Sequence, residues 1–215
     1  NAVGRILRVK LEKGLFDRPY TEVRNIERSQ HLIDAKKLAS EAAVLLKNDG
    51  TLPLSKDKRV ALIGPFTNER LSLLGTWTLD YILPETKTFY EAMTEKIGKE
   101  NVFTNYDDTG LFDSSFNTAL KADVIVLALG ESWCTTGEAR SLCDISLQES
   151  QIQLIRNMRS VGKKVVGVFF CGRPIAMDGI SDNLDAVLYA WHSGTKTAEA
   201  VCDILFGDTV PSGKT

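Results

Sequence analysis

The chain has 215 residues, 43% of them hydrophobic and 25% charged, with a net charge of −2. That length suits one good-sized domain, alone or with an appendage, and the composition is ordinary for a globular protein. The charge balance gives no reason to expect a nucleic acid or an anionic membrane as partner, and no apolar run approaches the roughly 18–20 residues of a bilayer span.

The first segment, "NAVGRILRVKLEKGLF", lacks the charged, apolar and small-residue regions of a signal peptide. It also lacks an initiating Met, so an internal piece of a longer protein is expected and targeting is unreadable. Val3, Ile6, Leu7, Val9 and Leu11 among Arg and Lys predict a short helix over residues 1–15, ending at Gly14. Residues 15–30, "LFDRPYTEVRNIERSQ", show no period, contain Pro19 and read as an irregular linker. In "HLIDAKKLASEAAVLLKN" (31–48), Leu38, Ala42, Leu45 and Leu46 share one helical face, which predicts a helix stopped by Asn48-Asp49-Gly50. "TLPL" (51–54) reads as a turn or short extended piece.

An alternation then begins. "RVALIGP" (59–65), "NVFTNY" (101–106), "DVIVLALG" (123–130), "KKVVGVFF" (163–170) and "DAVLYAW" (185–191) predict strands. Between and after them, residues 88–98, 114–122, 146–162 and 195–207 predict helices, the third opened by a Ser146/Glu149 capping box and closed at Gly162. Strands rich in Val, Ile and Leu without strict alternation are buried on both faces, so the fold class is α/β, a mostly parallel sheet with helices on both sides. The expected domain starts near residue 31, and residues 1–30 read as a tail and linker from something else.

Ligands of such a fold sit beyond the carboxyl ends of the strands. Three loops stand out there: 66–82 with Trp77, 131–145 with Glu131, Trp133, Glu138 and Arg140, and 191–199 with Trp191 and His192. Neither GxGxxG nor GxxxxGK[ST] occurs, and "PSGKT" (211–215) follows the last helix without the upstream glycine, so no nucleotide site is expected. Cys134, Cys143, Cys171 and Cys202 form no CxxC pair and only His31 and His192 join them, which argues against a metal site. Isolated thiols are expected, with Cys134 and Cys143 the one pair to check for a disulfide. No cofactor is implied.

Trp77, taken alone, reads either as a partly buried core residue or as a stacking platform; Trp191 favours the core, and His192 a structural or surface place. Glu131 and Glu138 read either as solvated loop residues or as a carboxyl group raised toward the acid form that general-acid work needs. Arg140 beside Glu138 would oppose such a rise by pairing with it. One carboxyl is also incomplete, since glycosidases use two, about 5–5.5 Å apart for retention and about 6.5–9.5 Å for inversion.

In order and spacing, "AKKLASEAAVLLKNDGTLPL" (35–54), "VALIGPFTN" (60–68), "LLGTWT" (73–78), "ADVIVLALGES" (122–132), "GKKVVGVFFCGRPIAM" (162–177) and above all "DILFGDTVPSGK" (203–214) resemble the second domain of family 3 glycoside hydrolases, the β-glucosidase and β-xylosidase group. The resemblance implies a six-stranded, flavodoxin-like three-layer α/β/α sandwich over residues 31–215, incomplete at the C-terminus of the parent protein, and preceded by a barrel domain, absent here, that carries the nucleophilic aspartate. "GLFDRPY" (14–20) then resembles the segment leaving the barrel, and Asp17 is not the nucleophile.

By the same resemblance, the catalytic acid/base is Glu138, with Glu131 as the alternative, and Trp77, Glu131 and Arg140 contact substrate. The partners implied are the barrel and a β-linked oligosaccharide or glucoside, and the parent enzyme is periplasmic or secreted. Where the family often reads Gly-x-Glu-Gly-Gly in this last loop, Thr195-Lys196-Thr197-Ala198 follow Gly194 without the Glu-Gly-Gly, which weakens a binding role for that loop. The expected function is the acid/base half of a retaining β-glycosidase, inactive alone; the alternative is a non-catalytic sugar-binding or structural domain supporting a barrel.

Overall fold

The computed structural model describes residues 1–22, 26–105 and 112–215, and its chain divides into two compact units, Asn1–His31 and Leu32–Thr215. In the first, helix α1 (Ala2–Glu12) is capped by the Asn1 side chain, which accepts from Gly4 N at 2.7 Å. Gly14, at φ 68°, turns the chain out of it as expected. Residues 23–25 of the expected linker lie outside the described residues, as does Tyr106 of the expected second strand.

The larger unit is built on a six-stranded sheet in the order β1-β6-β5-β4-β2-β3, formed by β1 (Val44–Asn48), β2 (Val60–Ile63), β3 (Val102–Asn105), β4 (Val124–Gly130), β5 (Lys164–Phe170) and β6 (Ala186–Tyr189). All pairings are parallel except that of β1 with β6. Every residue of β4 is buried. The pleat sends Val124, Val126 and Ala128 to one face and Ile125, Leu127 and Leu129 to the other. On the first face lie α4 (Phe89–Ile97) and α7 (Thr197–Leu205), whose Phe89, Met93, Val201 and Leu205 pack with Leu62, Val168 and Phe170. The second face holds α5 (Phe112–Leu120) and α6 (Glu149–Arg159), where Leu154, Ile155 and Met158 pack with Ile63 and Phe169. Two covered faces explain the unbroken apolar strands. The expected three-layer sandwich is the observed one.

The sequence reading needs correction at the start of this unit. Residues 31–48 are not one helix: α2 (Arg28–Ala42) ends at Ala42, and Val44–Asn48 form the antiparallel edge strand β1. Tertiary contacts override the helical pattern. The Trp191 indole donates to Ala42 O at 3.0 Å and Gly213 N to Ala43 O at 3.0 Å, satisfying carbonyls at the break. β6 supplies the ladder. Asn48 then closes the turn through its side chain, accepting from Thr51 N and Leu52 N at 3.0 Å each and donating to Leu52 O at 2.9 Å.

A smaller correction concerns α6, which starts at Glu149 with Gln148 as cap and no side-chain capping bond. Ser146 N instead donates to the Asp144 carboxylate at 2.8 Å, so the expected capping box is spent on the preceding turn. A genuine capping box opens α4, between Thr88 and Glu91. The motif "DILFGDTVPSGK" has a packing role. Asp208 pairs with Lys56 at 2.8 Å and with Lys96 at 2.6 Å, bonds that hold its carboxyl down to about 2. At Gly213 a Cβ would overlap the Ala42 carbonyl, so only glycine fits where the tail crosses the helix-to-strand break.

The amino ends of the strands are closed by ion pairs. Asp123 accepts from Arg59 N at 2.9 Å and from its guanidinium at 2.8 Å. Asp185 accepts from Val165 N at 2.9 Å, Lys164 at 2.8 Å and Arg159 at 3.0 Å. Burial pushes the Asp185 carboxyl up, and these three partners outweigh it, leaving the group below its ordinary value.

Candidate active site

The loops of interest leave the carboxyl ends of β2, β4, β5 and β6. The chain crosses over from β2 toward one edge and from β4 toward the other, so a crevice opens between their loops.

On the β2 side, the short helix α3 (Leu71–Leu74) occupies a stretch read from sequence as loop. The Glu69 carboxylate caps it by accepting from Leu71 N at 2.7 Å and Ser72 N at 3.2 Å. Gly75, at φ 89°, ends it and turns Thr76 and Trp77 outward. Trp77 is 67% exposed, so its indole is no core residue.

On the β4 side, Gly130 turns the strand at φ 147°, where a Cβ would overlap Phe170 O. The buried Gln151 amide brackets it, accepting from Gly130 N and donating to Gly130 O, both at 2.9 Å. Thr76 stitches the two loops together: its hydroxyl lies 2.6 Å from Trp133 O and 2.9 Å from Thr136 O, one hydrogen shared between two acceptors. Gly137 passes so close that a Cβ there would overlap the Thr76 methyl. Trp133 N donates to Ser72 Oγ at 3.3 Å.

A cavity of about 450 Å³ lies between these segments, lined by Thr76 and Trp77 from the β2 loop, Thr136 and Gly137 from the β4 loop, Gly172 after β5 and His192 after β6. His192 Nε2 is 3.2 Å from Glu131 O. Burial lowers its pKa from the ordinary value, against the opposing pull of the Glu131 and Phe170 carbonyls and the Glu131 charge, so the ring is neutral at neutral pH. The partner of His192 is a backbone carbonyl, which carries no sequence signal. Cys171 also lines the cavity, and burial pushes its thiol up to about 12, which makes it inert.

The predicted residues separate. Glu138 follows Gly137 on the exposed part of the loop, with no hydrogen bond or ion pair among the described residues. Arg140 is exposed too; its backbone N donates to Gly137 O at 3.2 Å, and no ion pair joins it to Glu138 among the described residues. Glu131 is 8% exposed and off the cavity, both oxygens taken by Arg173: Oε2 from Nε at 3.0 Å and Oε1 from Nη2 at 2.6 Å. The Arg173 guanidinium thus holds the Glu131 carboxylate through both of its oxygens. Trp191, with φ 58°, packs edge-on against Tyr189 at 4.6 Å and is half-buried. All four cysteines are free thiols, Cys134 and Cys143 exposed. Among the described residues no group of three or more His, Cys, Asp or Glu could hold a metal, and no helix is long and apolar enough to cross a membrane.

Fold and site define a doubly wound α/β domain with a polar, tryptophan-flanked crevice at its strand ends. Residues 43–215 match the Glycosyl hydrolase family 3 C-terminal domain, and the chain belongs to that family. It is 31% identical to a periplasmic beta-glucosidase of Salmonella typhimurium over 100% of its own length and 33% of the relative's. With a beta-xylosidase of Formosa agariphila the identity is 33%, over 99% of this chain and 32% of that one. The beta-glucosidase of Listeria innocua in complex with laminaribiose superposes with a TM-score of 0.85 at 32% identity, covering 96% of this chain and 30% of that one. The chain thus spans about a third of the length of the curated relatives it matches.

Proposed function

We propose that this chain is the acid/base half of a retaining β-glycosidase acting on terminal β-linked glucose or a related sugar such as xylose, with the nucleophilic aspartate supplied by a barrel domain that precedes it in the full-length protein. The observation that carries the reading is the position of Glu138. It is an unpartnered carboxyl on a loop stitched by Thr76 to the one that presents Trp77, beside a cavity that both loops line. In this reading Glu138 protonates the leaving oxygen as the aspartate attacks, then activates the water that releases the sugar. Trp77 offers its indole face to the sugar of the leaving group, and Arg140 is a polar contact for substrate on the same loop. The names of the relatives, beta-glucosidase and beta-xylosidase, support the substrate class. Exposed Trp77, Leu79, Tyr81, Trp133, Leu142 and Ile145 around the crevice fit an edge covered by another domain.

The test is hydrolysis of aryl β-glucosides and β-xylosides by the full-length protein and by this chain alone. Only the full-length protein should turn over, since this chain supplies one of two carboxyls. In the full-length protein, Glu138→Gln should cut kcat/KM by about 10²–10⁴-fold on substrates with poor leaving groups, and far less on a dinitrophenyl glycoside whose leaving group needs no proton. Equal losses on both, or none, would remove Glu138 from the mechanism and leave a sugar-binding or supporting domain.

A further inference from the structure

Glu138 makes no hydrogen bond or ion pair among the described residues, so its position is inherited from the anchors of its loop. On the β4 side those anchors converge on one side chain. The Arg173 guanidinium grips Glu131 at the start of the loop through two bonds of 3.0 and 2.6 Å, and from Nη2 it donates a third, at 3.0 Å, to the carbonyl of Asp144 at the loop's far end. Arg173 is itself fixed: its side chain is 20% exposed, and its own carbonyl accepts from the Tyr189 hydroxyl at 2.7 Å. The Asp144 end is ordered locally, with Asp144 accepting from Ser146 N at 2.8 Å and Ile145 O from Ala176 N at 2.9 Å. We infer that Arg173 is a positioning residue for the acid/base: a clasp that holds both ends of the 131–144 loop from the loop after β5, the strand beside β4, and so sets where Glu138 meets the glycosidic oxygen.

A forked, planar guanidinium suits this task. It binds a carboxylate through two parallel bonds and still has an N–H for a carbonyl, whereas a lysine is a single point charge. Arg173→Lys therefore keeps the charge that compensates the buried Glu131 but gives up the fixed geometry toward Asp144. Misplacement of a reacting group by about 1 Å costs on the order of a hundredfold in rate.

The inference rests on the acid/base reading of Glu138, and the experiment separates the two. In the full-length protein, kcat/KM is measured for Glu138→Gln and Arg173→Lys on an aryl glycoside with a poor leaving group and on the dinitrophenyl glycoside, with thermal melting as the fold control. The clasp predicts that Arg173→Lys melts close to the parent yet loses roughly tenfold to a hundredfold on the poor leaving group alone, a smaller copy of the Glu138→Gln pattern. Should Arg173→Lys fail to fold, the double variant Glu131→Met/Arg173→Met, which replaces the ion pair by apolar groups without leaving a buried charge, makes the same comparison. Equal losses on both substrates, or no loss, while Glu138→Gln remains selective, overturn the clasp alone. An unselective Glu138→Gln overturns the acid/base reading, and the clasp falls with it.

Discussion

The two ends of this one sheet are built on opposite terms. At the amino ends of the strands the carboxylates are matched: Asp123 to Arg59, Asp185 to Lys164, Arg159 and a backbone N–H. Lys163 donates there to the carbonyls of Ala119 and Leu120 at 2.9 and 2.8 Å, closing the last turn of α5. At the carboxyl ends the backbone is just as carefully tied, through Gln151, Thr76 and Arg173, yet the side chains of Trp77, Glu138 and Arg140 are exposed, with no hydrogen bond or ion pair among the described residues. The lesson lies in which groups are satisfied. Where the carboxylates are matched inside the domain, they keep the fold; where the frame is fixed and the side chains are exposed, they face what lies outside it.

The sharpest way to break this contrast is at the joint between sheet and loop. Gly130→Ala places a methyl group into Phe170 O at a φ of 147°, with backbone on both sides and no flexible side chain to yield. It should destabilise the domain by about 4 kcal/mol or more, or abolish folding, as read from urea unfolding. At the amino end, Asp185→Asn should cost about 2 kcal/mol by removing charge-assisted bonds from a nearly buried carboxylate, with no change in kinetics of the full-length protein. A kinetic effect as large as that of Glu138→Gln would mean the two ends do not differ in role.

The smallest effect is the most selective. The folded-state pKa of His192 lies below its ordinary value, so between the two values the unfolded chain binds the proton more readily. The stability contributed by the neutral ring is complete above the unfolded pKa of about 6.5 and is lost as pH falls through it toward the folded value. Urea midpoints should drop across that window, and His192→Gln should flatten the slope. An unchanged slope would mean that the ring is not buried against Glu131 O.

Much of the sheet was legible because its strands are too apolar to be anything but covered on both faces, as in Val124–Gly130 and Lys164–Phe170. The edge strand was not. "AVLLKN" has the residues and spacing of a helix end, and only β6, at the other end of the chain, makes it a strand. The site divides in the same way. Trp77 and Glu138 could be named from their loops and from family resemblance, because exposed side chains on strand-to-helix loops need no partner to be noticed. The pairing of Glu131 with Arg173 was invisible: the two residues sit on different loops, and the signal is a distance in space. Without it, Glu131 reads as a second candidate acid. The structure pairs it with Arg173.

The antiparallel edge carries one last consequence, for the order in which this domain can be completed. Val44 and Leu45, among the first residues of the unit to be synthesised, pair with Tyr189 and Leu188, among the last. The tail residue Gly213 then closes over the Ala42–Ala43 step. A growing chain can assemble the parallel strands as they emerge, but β1 waits for its partner until β6 has been made. The first strand of this unit is thus secured only after the last one has been made, so that edge of the sheet is among the last features of the unit to set.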